Sequence, residues 1–127
     1  MTEPIWLDLS LITAIQSEQL AIFGGASGIR DATLLQSALD RPRNKWAYGE
    51  QDLTALAAAY CYGLAKNHGF VDGNKRTAFL SVVAFLGLNG LEFNASEPEV
   101  VAIMEALAAG RLTEAELTAW IAANTAA

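Results

Sequence analysis

An apolar run from Ala78 to Leu88, interrupted by Ser81, constrains the fold of this chain more than any other segment. Its large apolar side chains would lie on several sides of a helix: Phe79, Val82, Val83, Phe85 and Leu86. A helix that is apolar on several sides has to be surrounded by other elements of the fold. Because the run is shorter than the ~18 residues needed to span a bilayer, it predicts a central, buried helix and no membrane segment.

The remaining helices are predicted from capping residues and helix breakers. Asp or Ser precedes several apolar-periodic stretches, and Ser96-x-x-Glu99 and Thr113-x-x-Glu116 have the spacing of capping boxes. The further helices are predicted from Asp8 or Ser10 to about Phe23, and at about 32–40, 53–67, 97–109 and 114–123. Together with the central helix, which should start near residue 73, they predict an all-α bundle of about six helices. Residues 1–127 are predicted to form a single domain.

Two connecting segments carry specific expectations. The glycine-rich stretch Gly24–Gly28 should end the first helix and form a turn. Pro42 should end the second helix, because a proline disfavours helical structure just before it. The following polar segment, residues 43–50, is then predicted to be a hairpin or a surface loop before the third helix, with Trp46 folded onto the core in the second case.

The charge pattern argues against nucleic-acid binding and favours a small anion as ligand. The chain has a net charge of −6, which disfavours general binding to nucleic acids. Nevertheless, six of its eight Lys and Arg residues fall between positions 41 and 76. A basic zone on an acidic body suits a small polyanion such as a nucleotide, although the same clustering also arises by chance on solvated faces.

Two features favour the cytoplasm as the compartment. Cys61 is the only cysteine, so the chain cannot form an internal disulfide. The first residues, Met1–Pro4, lack the basic-then-apolar layout of a signal peptide.

The segment His68–Thr77 combines the residue types that phosphoryl chemistry needs. His68 is the only histidine, and an imidazole, with an ordinary pKa near ~6.5, can accept a hydroxyl proton as a general base. Asp72 follows it and suits Mg²⁺, which takes one or two carboxylates together with phosphate oxygens and water. The structural alternatives are a histidine without a chemical role and an aspartate that caps the next helix.

The residues after Asp72 fit an anion site at the start of the central helix. Gly73 permits close approach of the backbone to phosphate oxygens, and a helix N-terminus offers unpaired N–H groups. Lys75 and Arg76 add positive charge, although adjacent residues point in different directions from a helix. Asn74 either contacts a phosphate or orients the loop. The predicted phosphate-binding residues are therefore Gly73, Asn74, Lys75 and Arg76.

This segment resembles the signature of the Fic/Doc family, His-x-Phe-x-Asp/Glu-Gly-Asn-Gly-Arg-x-x-Arg. The chain matches the signature at His68, Phe70, Asp72, Gly73, Asn74 and Arg76. It differs at Lys75, where Fic adenylyltransferases have Gly, and at Phe79, where they have the last Arg. Both differences are features of the Doc (death-on-curing) branch. The upstream stretch from Gly24 to Pro42 is also similar to Doc toxins.

The resemblance implies a toxin of a toxin–antitoxin pair that transfers the γ-phosphate of ATP, with Mg²⁺, to a threonine hydroxyl of elongation factor Tu. His68 would then be the catalytic base, Asp72 the Mg²⁺ ligand, and residues 73–76 the phosphate site. A Phd-type antitoxin is the implied partner, and residues 43–50 would be a flap that aligns the target. Two alternatives remain open: Fic-like transfer of AMP to a protein hydroxyl, and a non-catalytic protein that binds an antitoxin.

Overall fold

In the computed structural model, which describes residues 2–127, the chain forms six helices and a two-stranded antiparallel sheet. The elements are α1 (Leu9–Phe23), α2 (Ala32–Ala47), α3 (Leu53–Asn67), α4 (Asn74–Leu88), β1 (Glu92–Phe93), α5 (Glu97–Ala108), α6 (Glu114–Ala123) and β2 (Thr125–Ala126). This confirms the predicted all-α class and the predicted number of helices. Strand β1 follows α4 and pairs with β2 at the end of the chain, a pairing that the sequence did not predict. None of the helices in residues 2–127 is long and apolar enough to span a bilayer.

Helices α3 and α4 form the centre of the bundle. Small side chains make α3 the more deeply buried of the two, since the stretch 55–59 contains four alanines and lets α2, α4 and α6 approach closely. The predicted central helix α4 buries Val82, Phe85 and Leu86 in the core, but Val83 is exposed on its other side. The core therefore surrounds α3, and α4 packs against it with its first turn facing the connecting loops.

The predicted end of the second helix and the hairpin or flap at residues 43–50 are both wrong. Helix α2 continues through Pro42 to Ala47, and the chain turns only at Tyr48 and Gly49. Tertiary contacts hold the last turn, because Trp46 packs against the core in an edge-to-face contact with Trp6. Residues 43–47 are helical and not a surface loop, but the predicted packing of Trp46 against the core is confirmed.

Local capping signals locate most of the helix starts. The carboxylates of Asp8, Asp31 and Asp52 accept hydrogen bonds from the backbone N–H groups of Leu11, Leu34 and Thr54. The capping box at Thr113 is present in both directions. The one predicted at Ser96 is not formed, because the Glu99 carboxylate instead accepts a hydrogen bond from Trp120 Nε1 and so ties α5 to α6.

Glu114, the first residue of α6, joins that helix to the second half of α2. Its carboxylate lies 2.7 Å from Arg41 Nη2 and 2.8 Å from Lys45 Nζ, and its side chain is 19% exposed. Burial raises the pKa of the Glu114 carboxyl, but the hydrogen bonds and charges of Arg41 and Lys45 outweigh this effect. The pKa therefore lies below its ordinary value.

Replacing Glu114 with Gln should lower the free energy of unfolding at neutral pH by about 1 kcal/mol, which is typical of a partly exposed charged pair. Because folding lowers the pKa of this carboxyl, its contribution is present above the unfolded-state pKa and is lost as the pH falls through the folded-state pKa. Urea unfolding should therefore show the difference shrinking as the pH drops below about 4.3, the ordinary pKa of glutamate. A Glu105→Gln control, at an exposed position on α5, should show no such difference at either pH. An equal loss in both variants would contradict the assignment.

Candidate functional site

The predicted base, His68, lies where α3 ends and the motif loop begins. It has a left-handed backbone with φ of 50°, and it is the only residue other than glycine with positive φ among residues 2–127. A bulky residue in this region needs support from its surroundings. Arg30 supplies it, because its Nε donates to the His68 carbonyl at 2.7 Å and its Nη2 to the Asn67 carbonyl at 3.0 Å. These two carbonyls at the end of the helix would otherwise lack partners.

A short backbone pairing holds the motif loop against the loop that follows α1. Ile29 forms an antiparallel bridge with Phe70, and the Val71 N–H donates to the Gly28 carbonyl at 3.0 Å. The Gly69 carbonyl accepts from two consecutive N–H groups, those of residues 30 and 31, at 2.8 and 3.0 Å. The extended segment beside the motif is therefore the loop 24–31, and not residues 43–50 as the sequence suggested.

Asn74 connects the loop to the imidazole. Its Oδ1 accepts from the Phe70 N–H at 3.1 Å, and its Nδ2 donates to the Phe70 carbonyl at 2.9 Å. The same Nδ2 lies 3.2 Å from His68 Nδ1, and the residue is 6% exposed. These are the contacts expected of the loop-orienting alternative, while a direct contact of Asn74 with phosphate stays a prediction.

Asp72 is held by the glycine-rich loop. Its Oδ2 accepts from the Ala26 N–H at 2.7 Å, and its backbone carbonyl accepts from the buried Gln16 side chain at 3.2 Å. The N-cap alternative for Asp72 is wrong, because the N-cap of α4 is Gly73, with φ of 79° and no side chain capping the helix end. Within residues 2–127 no cluster of three potential metal ligands from Asp, Glu, His and Cys occurs. A metal here would therefore depend on Asp72 together with oxygens of a bound ligand, which fits the habit of Mg²⁺.

A pocket of about 250 Å³ opens at the start of α4. Its lining consists of Gln19, Leu20, Phe23, Gly24, Gly25, Asp72, Gly73 and Arg76. The Arg76 guanidinium lies 3.8 Å above the centre of the Phe23 ring. The structure thus brings three of the six predicted site residues into one pocket with an uncapped helix N-terminus. The others lie outside its lining: His68 and Asn74 are in the adjoining loop, and Lys75 is exposed on α4.

Sequence reasoning missed four residues that build this site: Gln16, Phe23, Ala26 and Arg30. Three of them act through contacts with the motif that span at least 38 positions of the chain, so local patterns carry no trace of them. Ala26 and Arg30 lie in the upstream stretch that is similar to Doc toxins, and Arg30 is one of two cations outside the basic zone, the other being Arg111.

A family model described as the Fic/DOC family matches residues 6–86, which is more than half of the chain. The chain belongs to the Fic/Doc family. The match includes α1, α2, α3 and most of α4, so every residue of the site described above lies inside it.

Two relatives agree with this assignment. The chain is 43% identical over 76 residues to a protein of Mycolicibacterium smegmatis named Toxin Doc, and the match covers 58% of each protein. It is 31% identical over 103 residues to a protein of Escherichia phage P1 named Protein kinase doc, which covers 80% of this chain and 81% of the phage protein. The mycobacterial match spans less than two thirds of that relative's length.

Replacing Arg30 with Ala should destabilise the protein by about 1–2 kcal/mol, because two carbonyls lose charged donors and His68 loses the brace for its left-handed backbone. Urea unfolding measures this loss, and hydrogen exchange should be faster at the amides of residues 30, 31 and 71, which pair the two loops. Arg111→Ala is the matched control, since Arg111 is an exposed cation outside the site. Equal effects of the two substitutions would contradict the proposed stabilisation of the His68 backbone by Arg30.

Proposed function

We propose that this chain is a Doc-like toxin that transfers the γ-phosphate of ATP to a hydroxyl group of a protein. The observation that carries the proposal is the pocket at the uncapped start of α4, where Asp72, Gly73 and Arg76 meet beside the His68 loop. Helix N-termini and arginine side chains are suited to phosphate groups. The name of the phage relative, Protein kinase doc, supports this reaction class, and the name of the mycobacterial relative, Toxin Doc, supports a toxin.

Each residue has a defined task in this reaction. The N–H groups at the start of α4 and the Arg76 guanidinium bind phosphate oxygens, while Gly73 lets them approach the backbone. Asp72 would hold Mg²⁺, which supplies charge neutralisation on the phosphates when it is bound. His68 accepts the proton of the attacking hydroxyl. The new bond joins that hydroxyl oxygen to the γ-phosphorus, the bond to the bridging β–γ oxygen breaks, and ADP leaves.

We extend the proposal to a threonine of elongation factor Tu as the acceptor, with arrest of translation in the cytoplasm as the result. The support is the motif itself, in which Lys75 and Phe79 follow the Doc branch. A Phd-type antitoxin is the proposed partner. Exposed apolar side chains near the pocket suit such a partner, because Ile22, Phe23 and Val71 are each about half exposed or more.

Replacing His68 with Ala should slow phosphate transfer by about 100- to 10,000-fold, the range typical of losing a general base. The measurement is intact-mass analysis of elongation factor Tu after incubation with the protein, Mg²⁺ and ATP. Because His68 is exposed, its removal should leave thermal unfolding nearly unchanged. Lys66→Ala, on the last turn of α3, controls for an exposed substitution close by. Transfer by His68→Ala at the wild-type rate would eliminate His68 as the base.

The position of the label on ATP distinguishes the proposed reaction from AMP transfer. With γ-labelled ATP the target should become radioactive, and with α-labelled ATP it should not. The reverse result would assign the chain to adenylyl transfer, the alternative that also uses a histidine base. If neither label is transferred, to the factor or in a whole lysate, while an antitoxin still binds, the chain is a non-catalytic binding protein.

A further inference from the structure

The orientation of the Asn74 side chain is fixed by the backbone of one residue. Phe70 presents an N–H to Asn74 Oδ1 and a carbonyl to Asn74 Nδ2, at 3.1 and 2.9 Å. Turning the amide over would place two donors face to face and two acceptors face to face. The atom directed at His68 is therefore Nδ2, whose second hydrogen is available to the imidazole.

This contact assigns the two nitrogens of the His68 ring. Asn74 Nδ2 lies 3.2 Å from His68 Nδ1, and an amide nitrogen can only donate. Nδ1 must then be the acceptor. A neutral imidazole carries one proton, so in this arrangement the proton is on Nε2.

We propose that Asn74 is a positioning residue that holds neutral His68 in the Nε2–H tautomer in the resting protein. In this tautomer Nε2 is a donor and cannot accept a proton, and the lone pair of Nδ1 is directed at Asn74. His68 is therefore not competent as a base at Nε2 until the contact with Asn74 opens. The tautomer follows from the structure alone, whereas its effect on the reaction rests on the proposed function.

When the contact between Asn74 and His68 opens, the imidazole can change tautomer without changing its charge. Once Nδ1 is released, solvent can deliver a proton to Nδ1 and remove the one on Nε2, with no net change in charge. The Nε2 lone pair then takes the hydroxyl proton as the oxygen attacks phosphorus, and the ring becomes an imidazolium. Arg30 keeps the His68 backbone in place throughout, because its side chain donates to the carbonyls of Asn67 and His68 and these bonds do not involve the imidazole.

Nitrogen NMR tests the proposal directly, since His68 is the only histidine in the chain. The untagged protein, with ¹⁵N in its histidine and asparagine side chains, is measured about two pH units above the ordinary imidazole pKa. We expect Nε2 to resonate in the protonated range and Nδ1 in the unprotonated range. A scalar coupling across the hydrogen bond should join Asn74 Nδ2 to His68 Nδ1. A proton found on Nδ1 would overturn the proposal whether or not any variant folds.

Substitution at position 74 should reverse the tautomer. In Asn74→Asp the carboxylate can only accept, so it favours a proton on Nδ1 and the two ring resonances should exchange ranges. Asn67→Asp is the matched control: Asn67 also donates its side-chain amide to a backbone carbonyl, that of Leu34 at 2.8 Å, and it is adjacent to His68 in sequence. Asn67→Asp should leave the tautomer unchanged. An unchanged tautomer in Asn74→Asp, or a reversal in both variants, would overturn the assignment.

These results can be separated from a failure of the proposed function. The resonances and the coupling are read without ATP or a target, so they decide the tautomer even if no transfer is ever detected. Absence of transfer by the wild-type protein would instead refute the kinase activity, and the tautomer result would stand independently of it.

Discussion

The site depends on the short backbone pairing between the loop after α1 and the motif loop. That pairing brings Arg30 to the end of α3, where its guanidinium meets the last carbonyls of the helix. It also brings Ala26 to the Asp72 carboxylate. Without it, His68 would have no support for a left-handed backbone and Asp72 would have no fixed direction. The exposed loop after α1 is therefore ordered by its hydrogen bonds to the motif loop, which Phe70 anchors in the core.

The charge arrangement at the start of α4 also follows from this pairing. A helix N-terminus is ordinarily satisfied by a side chain such as Asp, and Asp72 is in the right part of the sequence to do so. The Ala26 N–H holds the carboxylate instead, so Gly73 becomes the N-cap and no side chain covers the end of the helix. The positive end of the helix is thereby left for a ligand. Gly73 contributes the positive φ that this geometry requires.

Local signals were enough to predict the helices, but not the contacts between elements that are distant in the sequence. The bounds of α3, α4 and α6 agree with caps and apolar periodicity, because these act within a few residues. The end of α2 was misplaced, since the local effect of Pro42 is outweighed by the packing of Trp46 and by the ion pair of Lys45, in the last turn, with Glu114. Strand β2 was missed because a two-residue strand exists only through its partner. In the site, the motif located the predicted site residues, which lie in or beside the pocket at the start of α4, while the contacts that orient them join distant parts of the chain.

The chemistry of Asn74 explains why the motif needs an amide at this position. The side chain bridges the N–H and carbonyl of Phe70 as a neighbouring strand would, which requires one acceptor and one donor at a fixed separation. Aspartate has no donor for the carbonyl, and glutamine is one carbon longer. The second hydrogen of Nδ2 is then directed at His68 by the same two bonds. The group that orders the loop therefore also decides which ring nitrogen carries the proton in the resting protein.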